Sequence, residues 1–260
     1  MTAPEPCFSI NVDVTNPGQF FACCGVLELA HRLWPGTEGW FEEGRFSVRR
    51  SGGHSDSVEE LLSAIVKCDV QPVMVADPKT DPIRLDDPVG LKLDWWRRPD
   101  GTTNLFKTWA ANATAQQMFC KWQKPLQRAV ASFNGTLEEL LTLNGHVQGS
   151  YGFDSDLGWD ALSVGFSVNE HTSLKKLPTR PAVELFGAVG LQRFFPNLDE
   201  RAQVVRYATW SVPLCVPVAR IAALGCVPSV LKHGLRTRFV YRGSFKGLDR
   251  AIFMKGDTNE

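Results

Sequence analysis

The sequence predicts an α+β fold in which mixed sheets pack against helices, with a single chain forming two lobes. Short alternating segments typical of strands lie between longer segments that have apolar residues at helical spacing. Hydrophobic residues make up 43% of the 260 residues, which is enough to form a sizeable core. The turn-forming run at residues 144–158 is interpreted as a hinge, so that an N-terminal lobe covers residues 1–150 and a C-terminal lobe residues 151–260.

The first helix has clear start and stop signals. It follows the strand-like run FSINVDV, and Asn16 is a good N-cap before Pro17, a residue suited to the first helical position. Pro35 and Gly36 end the helix. A stripe of small residues along it lets another backbone come close: Gly18, Ala22 and Gly25.

Two adjacent cysteines in this helix, Cys23 and Cys24, are interpreted as packing residues. The sequence places no acid or base beside them that would activate a thiol. The seven cysteines of the chain include no CxxC or CxxH pair, which argues against a zinc site, and free Cys is often buried.

A second segment has the same design. Residues 161–169 are strand-like, and Pro181 then begins a helix with its own small residues, Gly187, Ala188 and Gly190. The likeness indicates either a weak internal duplication or two helices that cross the same sheet. The patterns predict four further elements: strands at residues 45–50, 70–76 and 207–216, and a helix at residues 57–67.

The run LDWWRRPDGTTN begins the most informative region of the chain. Its PDG tripeptide predicts a turn, which is expected to place Trp95 and Trp96 at the edge of an exposed loop. Thr103 or Asn104 is then predicted to cap a long helix that extends to Phe133, with apolar residues spaced by threes and fours.

This long helix is predicted to carry a basic face opposite its apolar one, formed by Lys107, Lys121, Lys124 and Arg128. Aromatic rings beside clustered cations fit nucleic-acid binding, because rings stack on bases and cations neutralise phosphates. The alternative is that the tryptophans are core residues and the cations a solvated surface. The residues alone leave both interpretations open.

A second basic patch lies towards the C-terminus. Within RTRFVYR, strand alternation puts Phe239 and Tyr241 on one face and three cations on the other: Arg236, Arg238 and Arg242. Gly243 and Gly247, with Lys246 between them, permit a tight return into the strand-like run AIFM. Such a hairpin is either a phosphate-contacting surface or an edge strand whose charges prevent aggregation.

Signals for catalysis are thin, and we expect no catalytic residues, no metal ligands and no cofactor. The five histidines lie in separate segments without a metal-binding pattern, and there is neither a P-loop nor a GxGxxG run. The 28 basic and 28 acidic residues balance, so any nucleic-acid binding must come from local patches. No segment has the ~20 apolar residues of a membrane span and no export signal is recognisable, so we expect a cytoplasmic protein without membrane contact.

Six blocks of the sequence, taken in order from about Asn11 to Leu214, resemble one family. They are NVDVTNPGQFFACCGVLELAHRLWPGTEGWF, LDWW, FKTWA, ALSVGFSVNE, RPAVELFGAVGLQRF and YATWSVPL. The combination is similar to the compact large-subunit proteins of the subtype I-G (formerly I-U) CRISPR-Cas Cascade. The resemblance implies a non-catalytic subunit of a crRNA-guided surveillance complex in antiviral defence. Such a subunit lies beside the 5′ end of the crRNA, recognises the protospacer-adjacent motif on duplex DNA and helps to open the strands into an R-loop.

The resemblance also implies partners and residue roles. The partners are crRNA, target double-stranded DNA, the backbone and crRNA-processing subunits, and a helicase-nuclease recruited after target binding. The first candidates for contacting motif DNA are Arg97, Arg98 and Lys107, with Asn104 or Gln116 as base-edge readers or wedge. The backbone of one strand would be guided by Lys121, Lys124 and Arg128. The displaced strand or the crRNA end would be held by Arg236, Arg238 and Arg242, and Lys246 is a further candidate for nucleic-acid binding.

Two other functional classes stay open. One is a ferredoxin-like CRISPR RNA-processing endonuclease, for which His233 beside the basic hairpin is the only plausible catalytic residue. The other is a structural adaptor that docks subunits through the glycine-dented helices and touches no nucleic acid. Loss of repeat-RNA cleavage on His233→Ala would favour the first class. Unchanged DNA affinity after charge reversal of the basic helix face would favour the second.

Overall fold

The computed structural model describes residues 5–50, 57–74, 77–109, 113–132, 136–145, 151–156, 179–242 and 245–254. Within these ranges the chain forms five α-helices, namely α1 (Pro17–Leu33), α2 (Ser57–Lys67), α3 (Ala115–Ala131), α4 (Pro181–Arg193) and α5 (Val216–Ala223). Antiparallel sheets accompany them, which confirms the predicted α+β class.

The described residues contain twelve strands in three antiparallel sheets. In chain order they are β1 (Phe8–Asn11), β2 (Glu38–Glu42), β3 (Arg45–Arg49), β4 (Val70–Pro72), β5 (Ile83–Leu85), β6 (Leu91–Leu93), β7 (Asn197–Asp199), β8 (Val204–Trp210), β9 (Leu214–Cys215), β10 (Leu231–Arg242), β11 (Phe245–Leu248) and β12 (Ile252–Phe253). The strand orders are β1-β3-β2-β9, β4-β5-β6 and β11-β10-β8-β7, and β12 also pairs with β10.

Helix α1 begins where the sequence predicts. The side-chain oxygen of Asn16 accepts hydrogen bonds from the backbone N–H groups of Gly18 and Gln19, at 3.0 and 3.3 Å, and Pro17 is the first helical residue. These bonds satisfy donors that have no partner within the helix, which is why an asparagine at this position starts it.

The glycine stripes of α1 and α4 face each other at the centre of the fold. A β-carbon placed on Gly25 would lie 1.9 Å from the carbonyl oxygen of Phe186, and one on Gly190 would lie 2.0 Å from that of Phe21. Only glycine leaves room for the two backbones at this distance. The predicted close approach of a second backbone is confirmed, and the second backbone belongs to α4.

One hydrophobic core contains residues from both predicted lobes. Phe20 of α1 stacks on Tyr207 of β8 with ring centroids 4.3 Å apart, and Phe194 after α4 stacks on Trp210 at 6.2 Å. The boundary predicted near residue 150 therefore does not divide the described residues into two cores. The strand predicted at residues 161–169 and parts of the predicted hinge lie outside the described residues.

The two adjacent cysteines are packing residues, as predicted. Cys23 and Cys24 are both fully buried in α1. Burial raises the pKa of each thiol well above its usual value, so neither is held as a thiolate.

The long helix predicted to begin at Thr103 or Asn104 is wrong in its first third. Residues 103–109 are not helical, and α3 begins at Ala115. The side chain of Asn104 accepts from the N–H of Phe106, two residues on, which makes a local turn instead of a helix cap. The cap is Thr114, whose side chain accepts from the N–H of Gln117 at 3.1 Å while the Gln117 side chain accepts from the Thr114 N–H at 3.0 Å.

Two strand predictions are corrected in their limits. The strand predicted at residues 70–76 ends at Pro72, and the one predicted at residues 207–216 is two strands, β8 and β9, with a turn between them. The helix at residues 57–67 and the strand at residues 45–49 agree with the sequence patterns.

Candidate nucleic-acid interface

The tryptophans of the LDWW run are core residues, which corrects the prediction of an exposed loop. Trp95 is 4% exposed and Trp96 2%. The ring of Trp95 packs edge to face on Trp109 and Phe106, with centroid distances of 5.9 and 6.5 Å. The indole N–H of Trp96 donates to the carbonyl oxygen of Thr80 at 2.9 Å. These rings therefore stabilise a buried aromatic cluster and cannot stack on bases.

Arg97 and Arg98 are held by contacts within the chain. Arg98 forms a two-point ion pair with Glu200. The hydrogen bonds to Glu200 and its charge raise the pKa of Arg98, which is charged in any case. Arg97 donates to the carbonyl oxygen of Thr80 at 3.2 Å and lies 3.8 Å from the carboxylate of Asp81. A phosphate bound here would have to share both guanidinium groups with these partners.

Three of the predicted site residues, Arg97, Arg98 and Asn104, line one open cleft of about 460 Å³ beside the end of α4. Asn104 is 8% exposed. Its amide nitrogen donates to the carbonyl oxygen of Trp95 at 2.6 Å, and its amide oxygen accepts from the N–H of Phe106 at 2.9 Å. Because both ends of the amide are occupied, the structure gives Asn104 a structural role and does not support base reading.

Lys107 and Lys246, which the sequence assigns to different patches, belong to segments that pack together: Phe106 lies against Phe239 of β10, the strand that pairs with β11, with ring centroids 5.2 Å apart. The Lys107 Nζ lies 5.1 Å from the centre of the Trp109 ring and donates to the Trp109 carbonyl oxygen at 3.2 Å. The Lys246 Nζ lies 5.7 Å from the centre of the Phe239 ring. Gly152 has a φ of +75°, and a β-carbon on it would lie 2.7 Å from the Lys246 carbonyl oxygen, so a glycine is required for this packing.

The electrostatics of this lysine pair are unfavourable in the absence of an anion. Burial lowers the pKa of Lys246, and the charge of Lys107 lowers it further. Burial also lowers the pKa of Lys107, an effect that Asp77 opposes and Lys79 reinforces. Among the described residues neither ammonium has a carboxylate within ion-pair distance, 4 Å. Two half-buried like charges without a carboxylate partner are typical of a site that receives an anion.

Helix α3 carries the basic face that the sequence predicts from residue 115 onwards. Trp122 and Leu126 are fully buried, and the exposed side bears Lys121, Lys124 and Arg128. None of these three cations forms an ion pair within the described ranges. Gln116, predicted as a base reader, instead donates its amide to the carbonyl oxygen of Val70 at 2.7 Å and so ties α3 to β4.

Strand β10 shows the predicted alternation of burial as far as Phe239, whereas Tyr241, predicted to lie on the same face as Phe239, is 52% exposed. Phe239 is 4% exposed on the core side, and Arg236 and Arg238 are exposed on the opposite face. Arg238 lies 3.8 Å from Asp249, a loose contact between two exposed groups. The side chain of Arg242 lies outside the described residues.

The hairpin that follows β10 differs from the prediction. The returning strand is β11, whose Lys246 lies opposite Tyr241, and not the AIFM run. That run contributes β12, in which Phe253 lies opposite Leu235 and Ile252 opposite Arg236. The glycine at 247 lies within β11, which is why the return begins earlier than the glycine spacing indicated.

The structure adds nothing that marks His233 as a catalytic residue. Its ring packs on Phe253 with centroids 5.1 Å apart, on a half-buried part of β10. Over the ranges that the structure describes, no group of three or more His, Cys, Asp or Glu side chains could hold a metal ion.

The adaptor alternative loses the docking surface that it was based on. Residues 17–30 of α1 are buried, and the glycine stripe of α1 is filled by the backbone of α4. These two helices therefore pack on each other, and their glycine-containing faces are not available to another subunit.

A buried ionic network that the sequence reasoning missed ties the loop at residues 151–156 to both central helices. Asp154 is fully buried; its carboxylate accepts from the Asn16 side chain at 2.8 Å and from Arg180 at two points. The Glu184 carboxylate accepts from the N–H of Tyr151 at 2.9 Å. The sequence does contain a signal for this network. Arg180 and Glu184 are charged residues in an otherwise apolar run, and charged residues in such runs usually have buried partners.

Comparisons with protein-family models, with curated proteins and with solved structures find no match to this chain. The resemblance to Cascade large subunits therefore rests on the sequence blocks alone, and the function has to be argued from the geometry. None of the helices described is long and apolar enough to cross a membrane.

Proposed function

We propose that this chain is a non-catalytic, nucleic-acid-binding subunit of a crRNA-guided surveillance complex of the subtype I-G Cascade kind. Its role is to contact duplex DNA at the protospacer-adjacent motif and to assist strand separation into the R-loop. Its partners are crRNA, target DNA and the neighbouring subunits, with a helicase-nuclease recruited after target binding. In this division of labour guide pairing reads the sequence, while the protein holds the backbone and reads a short motif.

The half-buried pair of Lys107 and Lys246 is the observation that carries the proposal. Backbone phosphates bound at the two ammonium groups, one at each, would offset the repulsion between the lysines and accept a charge-assisted hydrogen bond from each. The rings of Trp109 and Phe239 lie beside the two ammonium groups and give them a fixed apolar support. Phosphate contacts of this kind supply sequence-independent affinity and fix the register of a nucleic acid.

Exposed cations elsewhere support the same function. They are Lys121, Lys124 and Arg128 on α3, and Arg236 and Arg238 on β10. Because the chain as a whole has no net charge, these patches act locally. Weak general attraction suits a protein that must leave non-specific DNA quickly in order to search for a motif.

The geometry narrows the set of motif-contacting residues. Asn104 and Gln116 use their amides inside the fold, so the proposal does not assign them to base reading. Arg97 and Arg98 line the cleft beside α4, but Arg98 is already paired with Glu200. We assign Arg98 to DNA contacts that form only if its pair with Glu200 opens, and Arg97 to contacts that it makes while shared with Thr80 and Asp81.

The double substitution Lys107→Gln and Lys246→Gln tests the phosphate site. Its matched control is Lys67→Gln with Arg201→Gln, which removes the same charge from two exposed positions that form no ion pair with a described residue. Affinity for labelled duplex DNA is measured across a series of salt concentrations. The slope of log K against log salt is expected to fall by about 2 in the test variant, since each lost phosphate contact removes about 0.9, and to stay unchanged in the control. Equal slopes in both variants would refute the site.

Purification of the tagged chain from its native host tests the assignment to a complex. Associated proteins are identified by mass spectrometry and bound RNA is sequenced. Co-elution with Cascade backbone subunits and mature crRNA is expected. Recovery of the chain alone, from cells that express the system, would reject the Cascade assignment, even if the purified chain bound nucleic acid through the lysine pair.

A further inference from the structure

A cavity of about 350 Å³ lies between the C-terminal halves of α1 and α4 and the start of α5. Its polar lining consists of one acid, one histidine and three arginines: Glu28, His31, Arg32, Arg193 and Arg220. The volume lies at the lower end of the range of about 300–1,000 Å³ that is usual for small-molecule sites. No step of the proposed nucleic-acid function uses these residues.

The charge of the lining is strongly positive. Glu28 is 1% exposed, and one of its carboxylate oxygens accepts from the Nε of Arg32 at 2.7 Å and from the Nε of Arg193 at 3.1 Å. Three guanidinium groups around one carboxylate leave two positive charges uncompensated when His31 is neutral. A cavity with this excess attracts an anion with two negative charges.

The arginines differ in how much hydrogen-bonding capacity they retain. Arg32 is committed to the fold, because it also donates to the carbonyl oxygens of Val89 and Gly90 at 3.0 and 2.7 Å. Arg193 uses only its Nε for Glu28, and within the described ranges its terminal nitrogens have no partner. Arg220 forms neither a hydrogen bond nor an ion pair with any described residue. Two guanidinium groups therefore have donors for a ligand.

The start of α5 adds to the positive potential. Val216 and Pro217, in the first turn of α5, line the cavity, so the positive end of the helix lies beside it. The Nδ1 of His31 is buried and has no hydrogen-bond partner in the part of the chain that the structure describes.

We infer that this cavity binds a dianionic phosphate group, carried by a small phosphate monoester or by the terminal phosphate of a larger molecule. Arg193 and Arg220 each donate two parallel N–H hydrogen bonds to the phosphate oxygens. This bidentate arrangement is the one in which a guanidinium group binds phosphate best. Glu28 positions Arg193, and Arg32 fixes Glu28. A phosphodiester carries a single negative charge and matches the two uncompensated positive charges poorly.

This cavity is separate from the lysine pair, and the inference does not rest on the proposed function. Gly18, at the start of α1, packs on the backbone of the loop at residues 151–156, and Gly152 of that loop packs on Lys246. Arg32 lies 14 residues further along α1, about 20 Å away at 1.5 Å per residue. The two sites therefore lie at opposite ends of α1.

Isothermal titration with inorganic phosphate, at an ionic strength held constant with chloride, tests the inference. We expect a dissociation constant below about 1 mM, and binding at least about tenfold weaker in Arg220→Ala, because this variant loses the charge-assisted hydrogen bonds of Arg220 to the phosphate. Arg220 is exposed and has no partner to lose among the described residues, so this variant folds. Arg201→Ala, which removes an exposed arginine elsewhere, keeps the wild-type affinity, as does the double variant of Lys107 and Lys246.

Further ligands separate the possible sources of the phosphate. Dimethyl phosphate, a diester, is expected to bind at least about tenfold more weakly than inorganic phosphate, a factor worth about 1.4 kcal/mol. Displacement of inorganic phosphate by a 5′-phosphorylated oligonucleotide, but not by the same oligonucleotide with a 5′-hydroxyl group, would identify a nucleic-acid end as the source of the bound phosphate. Displacement by AMP alone would identify a small monoester. Absence of phosphate binding, equal binding of the diester, or unchanged affinity in Arg220→Ala would overturn the inference.

Discussion

Alanine at position 25 probes the helix pair on which the fold is built. The added methyl group would lie 1.9 Å from the carbonyl oxygen of Phe186 and 2.8 Å from its carbonyl carbon. Carbon–oxygen contacts are normally about 3.3 Å or longer, so α1 and α4 would have to move apart by about 1.4 Å. Gly25→Ala is therefore expected to destabilise the protein, although alanine is the better helix former.

The magnitude follows from three terms. Overpacking a core costs about 1–3 kcal/mol, and this case lies at the upper end because the obstacle is a helix backbone and not a flexible side chain. A gap of about 0.5–1 Å already forfeits a quarter to a half of the dispersion energy of the contacts it separates. Alanine regains about 1 kcal/mol over glycine within a helix. We expect the free energy of unfolding to fall by about 2 kcal/mol and Tm by about 4–8 °C.

Urea unfolding followed by far-UV circular dichroism measures the effect. Gly190→Ala makes the reciprocal change, because its methyl group would lie 2.0 Å from the carbonyl oxygen of Phe21, and we expect a similar loss. Gly187→Ala is the matched control on the same helix. There the nearest atom is a ring carbon of Phe153 at 3.2 Å, a side chain that can shift slightly, so the loss should stay below about 1 kcal/mol.

Two results would contradict the contact between the backbones of α1 and α4. If Gly25→Ala and Gly190→Ala left the free energy of unfolding unchanged, or raised it by the propensity gain of alanine, the two backbones could not be in contact at these positions. Equal losses of unfolding free energy in all three variants would also contradict this contact, because the loss would then not depend on the distance to the opposing backbone.

Two further predictions concern the Asp156 carboxylate and two of the cysteines. Burial raises the pKa of Asp156, but hydrogen bonds from Arg180 and the charges of Arg180 and Arg250 have the larger effect, so the pKa is lowered overall. The ionised carboxylate therefore stabilises the folded protein at pH values above 3.8, the usual pKa of the group. The stabilisation is present above pH 3.8 and is lost as the pH falls through the lower pKa of the folded protein. In urea titrations at pH 6 and pH 2.5, Asp156→Asn should therefore lose less stability on acidification than the unmodified protein. Exposed Cys226 should be alkylated in the native protein, whereas buried Cys23 should be labelled only in denaturant, as peptide mapping by mass spectrometry will show.

Local signals in the sequence predict local structure well. Asn16 and Pro17 mark the start of α1 because the side-chain bonds of an N-cap involve only the next few residues. The alternation around Arg236 and Arg238 likewise predicts a strand face, since neighbouring side chains in a strand point to opposite sides. The small residues of α1 predict a close backbone contact, although they do not say which element makes it.

Competing local signals explain the largest error in the fold. Apolar spacing between residues 105 and 133 continues through α3 and predicts one long helix. Asn104 bonds the N–H of Phe106 and so forms a turn, while Thr114 and Gln117 form a complete capping box further on. Both asparagine and threonine are good caps, and only the reciprocal Thr–x–x–Gln pattern distinguishes the true start.

The candidate site could be predicted only in part, because partners decide what a cation does. Arg98, Arg180 and Arg32 each bond an acid that is distant in the sequence or lies one turn away, and these arginines hold the fold together. Lys107 and Lys246 have no such acid within the described residues and are brought together only by tertiary packing. A helical wheel or a strand pattern treats both kinds of cation alike. A balanced total charge is therefore compatible with a phosphate site: the acids are used by the structural arginines, and the uncompensated charge collects where the fold leaves lysines unpaired.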